Sequence, residues 1–189
     1  MHQSKPSTDP PNAAALARRL DRPVVLVGMM GVGKSTVGRR LANLLQRDFV
    51  DADEEIVEAA QMSVSDIFAE FGEAYFRDGE RRVITRLIEE QRGVIATGGG
   101  AFVNDATRAL ILDRAIAVWI DASVDTLVER TARRNTRPLL QNGDPKEILT
   151  RLHRDREPFY AEAQIHVRSE PGPHLNTANR IIEAIDKWL

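Results

Sequence analysis

The chain has 189 residues, 42% of them hydrophobic, and 26 basic against 28 acidic side chains give a formal net charge of −2. That size suits one sizeable core rather than two independent domains, and the near-balance of charge supplies no overall basic field for gathering nucleic acid. The absence of cysteine excludes disulfides, thiolate nucleophiles and cysteine metal sites, and fits a reducing, cytoplasmic setting.

The first 22 residues, "MHQSKPSTDPPNAAALARRLDR", are rich in Pro and Ser at the start and contain no apolar stretch long enough for a secretory signal. They read as a flexible tail, with a short helix over Ala13 to Leu20 as the alternative, and residues 23–189 read as a single domain. No window of the chain approaches a membrane span. Val24 to Val27 is a short run apolar on both faces, as expected of a central strand in a sheet covered by helices on both sides. From Ser35 the period changes, with Val37, Leu41, Leu44 and Leu45 at helical spacing. Phe49 and Val50 form a second short strand that ends in acidic residues, followed by a short helix in "DEEIVEAAQ". Two further helices are broken near Gly72, the longer striped by Phe76, Val83, Ile84, Leu87 and Ile88. "GVIATGGG" is a buried strand running into a glycine turn. A helix beginning near Asp105, the strand "AIAVWID" and a helix capped by Ser123 come next. The polar stretch "RRNTRPLLQNGDPKE" interrupts the pattern, Pro145 opens another helix, "IHVR" is a last strand, and Ile181, Ile182, Ile185, Trp188 and Leu189 stripe a terminal helix. Trp119, in a strand, and Trp188 both read as packing residues. Strands alternating with helices predict a mostly parallel five-stranded sheet in a three-layer α/β sandwich.

At the first strand-to-helix corner, Gly28, Gly33, Lys34 and Ser35 satisfy G-x-x-x-x-G-K-[ST], with Gly31 and Val32 inside the loop and Thr36 after it. Backbone N–H groups unhindered by side chains can curl around an anion at the positive end of a helix. Lys34 then reaches the β and γ phosphates, and the Ser35 hydroxyl is available to Mg²⁺. The plain alternative is a tight turn with a surface lysine, but the strand before and helix behind favour nucleotide phosphate. In a parallel sheet the ligand crevice lies at the carboxyl ends of the strands. Asp51 and Asp53 should lie there after the second strand and Gly98 to Gly100 after the third. Two residues apart in an extended segment, the two carboxylates would share a side, with Ala52 opposite. They open an acidic helix start, or they serve Mg²⁺ or a hydroxyl-bearing substrate; the neighbouring phosphate loop favours the second reading. Arg77, at helical spacing from Glu73 and Glu80, reads locally as an ordinary salt bridge. Three consecutive glycines mark a sharp turn or a place where ligand touches backbone. Arg130, Arg133, Arg134, Arg137, Arg154 and Arg156 crowd the polar interruption and the helix after it, where a basic loop could close over a transferring phosphoryl group. The four histidines show no metal-ligand spacing and read as satisfied or solvated.

The segments "GMMGVGKSTVGRRLA", "DADEEI", "DIFAEFGEAYFRDGE", "VIATGGGA", "RTARRNTRPLL" and "REPFY" together resemble the shikimate kinase family, in its order and approximate spacing. The resemblance runs from Val24 to Tyr160, more weakly through the terminal helix, and excludes the leading tail. It implies a P-loop fold like that of the nucleoside monophosphate kinases, ATP and Mg²⁺ as cofactors, and phosphorylation of the 3-hydroxyl of shikimate. It also implies a substrate-binding segment at about 51–92 and a lid at about 133–147. Carried over residue by residue, Asp53 binds shikimate hydroxyls as the proposed base and Asp51 helps hold Mg²⁺ with Ser35. Arg77 and Arg156 clamp the carboxylate, Glu80 orients the neighbouring arginine, Phe68 and Phe76 line the ring pocket, and Gly98, Gly99 and Gly100 touch substrate through backbone. Arg137 is the lid arginine and Arg130 stacks near adenine. The family is commonly monomeric, so a monomer without nucleic-acid or membrane partners is expected. The acidic, proline-containing "SEPGPHLNTAN" departs from the family's basic loop, so the resemblance carries no adenine contacts onto it. Two alternatives stay open: another small-molecule kinase, such as one for gluconate, and a non-enzymatic nucleotide-binding switch.

Overall fold

The computed structural model describes residues 12–133 and 143–189. Five strands, β1 (Val24–Val27), β2 (Phe49–Asp51), β3 (Val94–Ala96), β4 (Ile116–Asp121) and β5 (Ile165–Arg168), pair in parallel in the order β2-β3-β1-β4-β5. Around them are α1 (Ala13–Arg19), α2 (Lys34–Leu45), α3 (Ala52–Ala60), α4 (Val64–Phe71), α5 (Glu73–Glu89), α6 (Asp105–Arg114), α7 (Val124–Ala132), α8 (Pro145–Tyr160) and α9 (His174–Trp188). The strand order decides which face each helix covers. From β1 the chain crosses over β3 to reach β2, then steps back the other way through β3 to β4 and β5, and right-handed crossovers place those two directions on opposite faces. So α2 covers one face while α5 and α6 cover the other, and α9 returns to pack against α2. β1 is fully buried along its length, as its uninterrupted apolar run requires.

The carboxyl ends of β1, β2 and β3 lie side by side, because Val24 and Phe49 both pair in register with Val94. The phosphate loop, the acidic segment and the glycine turn therefore leave the sheet at one edge. Helix α2 lies close to the strands there: a side chain at Gly38 would meet the Phe49 ring at 2.5 Å.

Several local expectations change in the folded chain. The region expected as flexible tail contains α1, whose Leu16 is fully buried against α2 and α9 and whose end is tied down by Arg47 donating to the carbonyls of Ala17 and Leu20. Seven residues make no stable helix alone, so it is this packing that orders them. Asp53 does not continue the extended segment. The Asp51 carboxylate accepts from the N–H groups of Asp53 and Glu54, which starts α3 at Ala52 and puts Asp53 in its first turn. Trp119 is buried, whereas Trp188 is 45% exposed at the end of α9, where the chain has run past the sheet.

Candidate active site

At the end of β1 the chain turns through Gly28, Gly31 and Gly33, all with positive φ. Gly33, at φ 95°, is the N-cap of α2, a left-handed conformation that a side chain would strain. The helix N-terminus consequently faces the cleft without a capping side chain, leaving its first N–H groups for an anion. Lys34 is 8% exposed, and its Nζ donates to the carbonyls of Gly28 at 2.6 Å and Met29 at 2.9 Å. These bonds hold the ammonium at the mouth of the loop. Ser35 Oγ donates to Asp51 Oδ2 at 2.6 Å, so the hydroxyl and the carboxylate expected to serve Mg²⁺ already share a side. A second wall comes from α7, where Arg130 Nη1 donates to the Val32 carbonyl at 2.9 Å.

The other end of the cleft is built around the glycine turn. Thr97, through both its N–H and its hydroxyl, donates to the Leu26 carbonyl and anchors the start of the turn to β1. None of Gly98, Gly99 and Gly100 has positive φ, and a side chain at each would crowd a charged side-chain tip. A Cβ at 98 would sit 2.9 Å from Asp53 Oδ1, one at 99 would sit 3.0 Å from Arg156 Nη1, and one at 100 would overlap the Arg77 guanidinium. Thus the turn gathers Asp53 from α3, Arg77 from α5 and Arg156 from α8. Tyr160, one helical turn after Arg156, donates its buried hydroxyl to the Gly99 carbonyl and ties α8 to the turn. Glu80 is almost fully buried, and its Oε1 accepts from Arg77 Nη1 at 2.8 Å. Burial pushes the Glu80 carboxyl up to about 7; Arg77 and Arg156 oppose that shift and Asp53 adds to it. Two buried polar atoms in this cluster, Glu80 Oε2 and Arg156 Nη1, have no hydrogen-bond partner. Such orphans are costly in a folded protein, at about 1–3 kcal/mol each or more when charged, and an ordered water or a ligand can supply the missing partner.

Between the two ends lies a cleft of about 450 Å³, lined by Gly31, Gly33, Lys34, Ser35 and Thr36 on one side and by Asp51, Asp53, Gly98 and Gly99 on the other. Arg130 also lines it. Arg77, Glu80, Gly100 and Arg156 lie just behind that lining, in contact with it through the turn. Phe68 and Phe76 pack on each other at 4.7 Å between ring centroids and lie beside the Arg77 guanidinium. They back the arginine. Gly28 and Val32 are buried in the loop's own packing. Arg137 and most of the expected lid lie outside the described residues. The sequence reading missed Tyr160 and the Pro171, Gly172 and His174 stretch, all of which border the site. The latter lies in the "SEPGPHLNTAN" stretch, where a proline and a glycine precede, and the histidine opens, a helix that packs on the phosphate-loop helix.

A parallel sheet of this order, with a glycine loop at the N-terminus of α2 and a charged acceptor corner across the cleft, defines a P-loop kinase of the nucleoside-monophosphate-kinase-like class. A family model described as shikimate kinase matches residues 30–186. The shikimate kinase of Novosphingobium aromaticivorans is 62% identical over 178 residues, covering 92% of each chain. The chain belongs to the shikimate kinase family, and is an ATP-dependent phosphotransferase with an alcohol group as acceptor. The shikimate kinase of Acinetobacter baumannii, solved in complex with shikimate, superposes with a TM-score of 0.86 at 36% identity over 90% of this chain and 97% of that one. A gluconokinase from Sinorhizobium meliloti, at 16% identity and a TM-score of 0.57, shares the fold alone.

Proposed function

We propose that the glycine-turn end of the cleft holds shikimate with its carboxylate between Arg77 and Arg156 and its 3-hydroxyl beside Asp53, facing the γ-phosphoryl group of ATP. The observation that carries this reading is the convergence of two guanidiniums from distant helices on one turn, with Arg156 Nη1 left without a partner. A guanidinium fork pairs two-pronged with a carboxylate, a feature that separates this acceptor from a neutral polyol. Glu80 holds the Arg77 fork in orientation through its 2.8 Å bond.

Phosphoryl transfer asks the protein chiefly for alignment and for charge on the equatorial oxygens. Lys34 supplies positive charge at the β and γ phosphates, exchanging its bonds to the Gly28 and Met29 carbonyls for phosphate oxygens. The N–H groups of Gly33 through Thr36 cradle the phosphates. Asp53 accepts the hydrogen bond of the attacking hydroxyl and takes its proton late in the transfer. The oxygen donors of Ser35 and Asp51, 2.6 Å apart, suit a small hard cation, with Asp51 acting through the hydration shell. Mg²⁺ held by Ser35 and Asp51 would supply positive charge against the charge that develops on the phosphates. Arg130 stacks near the adenine. Arg137 is assigned to the transferring phosphoryl group on the family motif alone, and closure of the lid would exclude water as a competing acceptor. Among the described residues no helix is long and apolar enough to cross a membrane, and we place the enzyme in the cytoplasm as a monomer.

The test is a coupled ADP-release assay offering shikimate, quinate and gluconate in turn. Shikimate should be used strongly and gluconate not at all. Equal use of gluconate would overturn the shikimate assignment; because gluconate also carries a carboxylate, the clamp itself is tested by a neutral amide of shikimate, which should be a poor acceptor.

A further inference from the structure

Three glycines in a row determine little of their own backbone. With no Cβ on either side, the peptide joining Gly99 to Gly100 has little steric preference for one orientation of its plane over the other, so a bond from outside has to choose. The Gly98 carbonyl accepts from the Ala101 N–H at 3.3 Å and the Gly100 carbonyl from the Val103 N–H at 3.2 Å, both within the short 3-10 turn that follows. The Gly99 carbonyl is met from a different element, by the hydroxyl of Tyr160 on α8. Tyr160 is 1% exposed and its ring packs against that of Trp119 on β4, 5.9 Å between centroids, so the hydroxyl cannot swing off its acceptor without opening the core. The peptide is trans, and in a trans peptide the C=O and N–H point to opposite sides. Drawing the Gly99 carbonyl toward α8 therefore turns the Gly100 N–H away from it.

We propose that Tyr160 is a positioning residue for the acceptor, holding the glycine turn and Arg156 in one fixed relation so that carboxylate capture depends on a hydroxyl that does not itself touch the substrate. This rests on the acceptor reading of the glycine-turn end. Arg156 lies one helical turn before Tyr160, and its Nη1 is 3.0 Å from where a Cβ at Gly99 would stand. The glycine that Tyr160 bonds is thus the one that Arg156 touches. The charges facing the phenol are the guanidiniums of Arg156 on the same helix and Arg77 on α5; burial pushes the phenol pKa up and both arginines oppose that shift. The hydroxyl keeps its proton near neutral pH, so it remains a donor to Gly99, with its lone pairs available to the guanidiniums. Removing it takes away the bond that sets the Gly99–Gly100 plane. The phosphate loop is held separately, through Lys34 and Arg130, so the effect should stop at the acceptor corner.

The experiment is a double-mutant cycle of Tyr160→Phe and Arg156→Lys in steady-state kinetics, with shikimate and its neutral amide as acceptors. Phenylalanine fills the ring's volume, so the variant should fold, as a thermal melt would show. Tyr160→Phe should raise the KM for shikimate by about three- to tenfold, the worth of one hydrogen bond, with a smaller change in kcat and the KM for ATP within about twofold. Its preference for the acid over the amide should fall, and the double variant should be less impaired than the product of the two single effects. Amide exchange across Gly98 to Ala101 in the free protein should quicken while that of the phosphate loop does not. A lower melting temperature with an unchanged KM for shikimate would make Tyr160 a structural residue only and overturn the proposal. Strict additivity, an equal rise in the KM for ATP, or unchanged exchange in the turn would also overturn it. Wild type that ignores shikimate is a different result: it strikes the acceptor reading itself, and this inference with it.

Discussion

The two ends of the cleft meet their ligands in opposite ways. At the phosphate loop recognition is written into the backbone: three positive-φ glycines, an uncapped helix N-terminus, and a lysine already held by two carbonyls. At the acceptor corner it is written into side chains from α3, α5 and α8, and it includes buried polar atoms with nothing to bond. The phosphate end is satisfied before its ligand arrives and exchanges one set of partners for another. The acceptor end is under-satisfied, so binding there should be steeper in its dependence on single side chains and on protonation.

Substitutions can break this contrast, beginning with the group assigned to the reacting hydroxyl. Asp53→Asn should bind nucleotide normally and lose about 10²–10⁴-fold in kcat. Full turnover in that variant would remove Asp53 from the chemistry. Lys34→Ala removes the cation held at the mouth of the phosphate loop and should lower turnover by about 10²–10³-fold without unfolding the domain, as steady-state rates and a thermal melt would show. At the acceptor corner, Arg77→Lys and Arg156→Lys should each raise the KM for shikimate by roughly tenfold or more, since a charged hydrogen bond is worth about 1.5–3 kcal/mol. The KM for ATP should stay within about twofold. If both constants rise together, the two ends are not the separate devices described.

The smallest effect sharpens the contrast through pH. Glu80 titrates at about 7 in the fold against 4.5 for a free glutamate, so between those values the folded protein holds a proton that the unfolded chain releases. Its stabilising contribution is complete below about pH 4.5 and is lost as pH rises through 7. Glu80→Gln cannot lose that proton. The variant should therefore gain stability relative to wild type as pH rises from 4.5 to 7, and the difference should level off above that. Chemical denaturation of both proteins across this range reads it directly, and a constant difference at all pH values would contradict the assignment.

The phosphate loop was legible because its chemistry is contiguous: strand, glycines, lysine, hydroxyl and helix follow one another within twelve residues from Val24 to Ser35. Strand and helix alternation likewise set the layer fold, since a four-residue run such as Val24–Val27 has to be buried on both faces. Arg156 could not be chosen from its arginine neighbours by any local rule, because its meaning comes from a turn 57 residues earlier, where its Nη1 meets Gly99. Helix α1 was hard to read for a related reason: Ala13–Arg19 is too short to hold itself, and only the burial of Leu16 decides the matter. Asp51 and Asp53 both line the cleft, but by a geometry other than the extended segment expected of them. A cap replaces the extended strand, and the pair still faces the cleft because helix α3 begins between them.

The Gly98–Gly100 turn has a consequence for descent. A glycine codon becomes an alanine codon by a single base change. At position 98 the added methyl group presses on Asp53, at 99 on Arg156 and at 100 on Arg77. No one of these changes can be excused by adjusting the neighbour that another would disturb. An alanine at any of the three would therefore have to displace a different charged side-chain tip of the site.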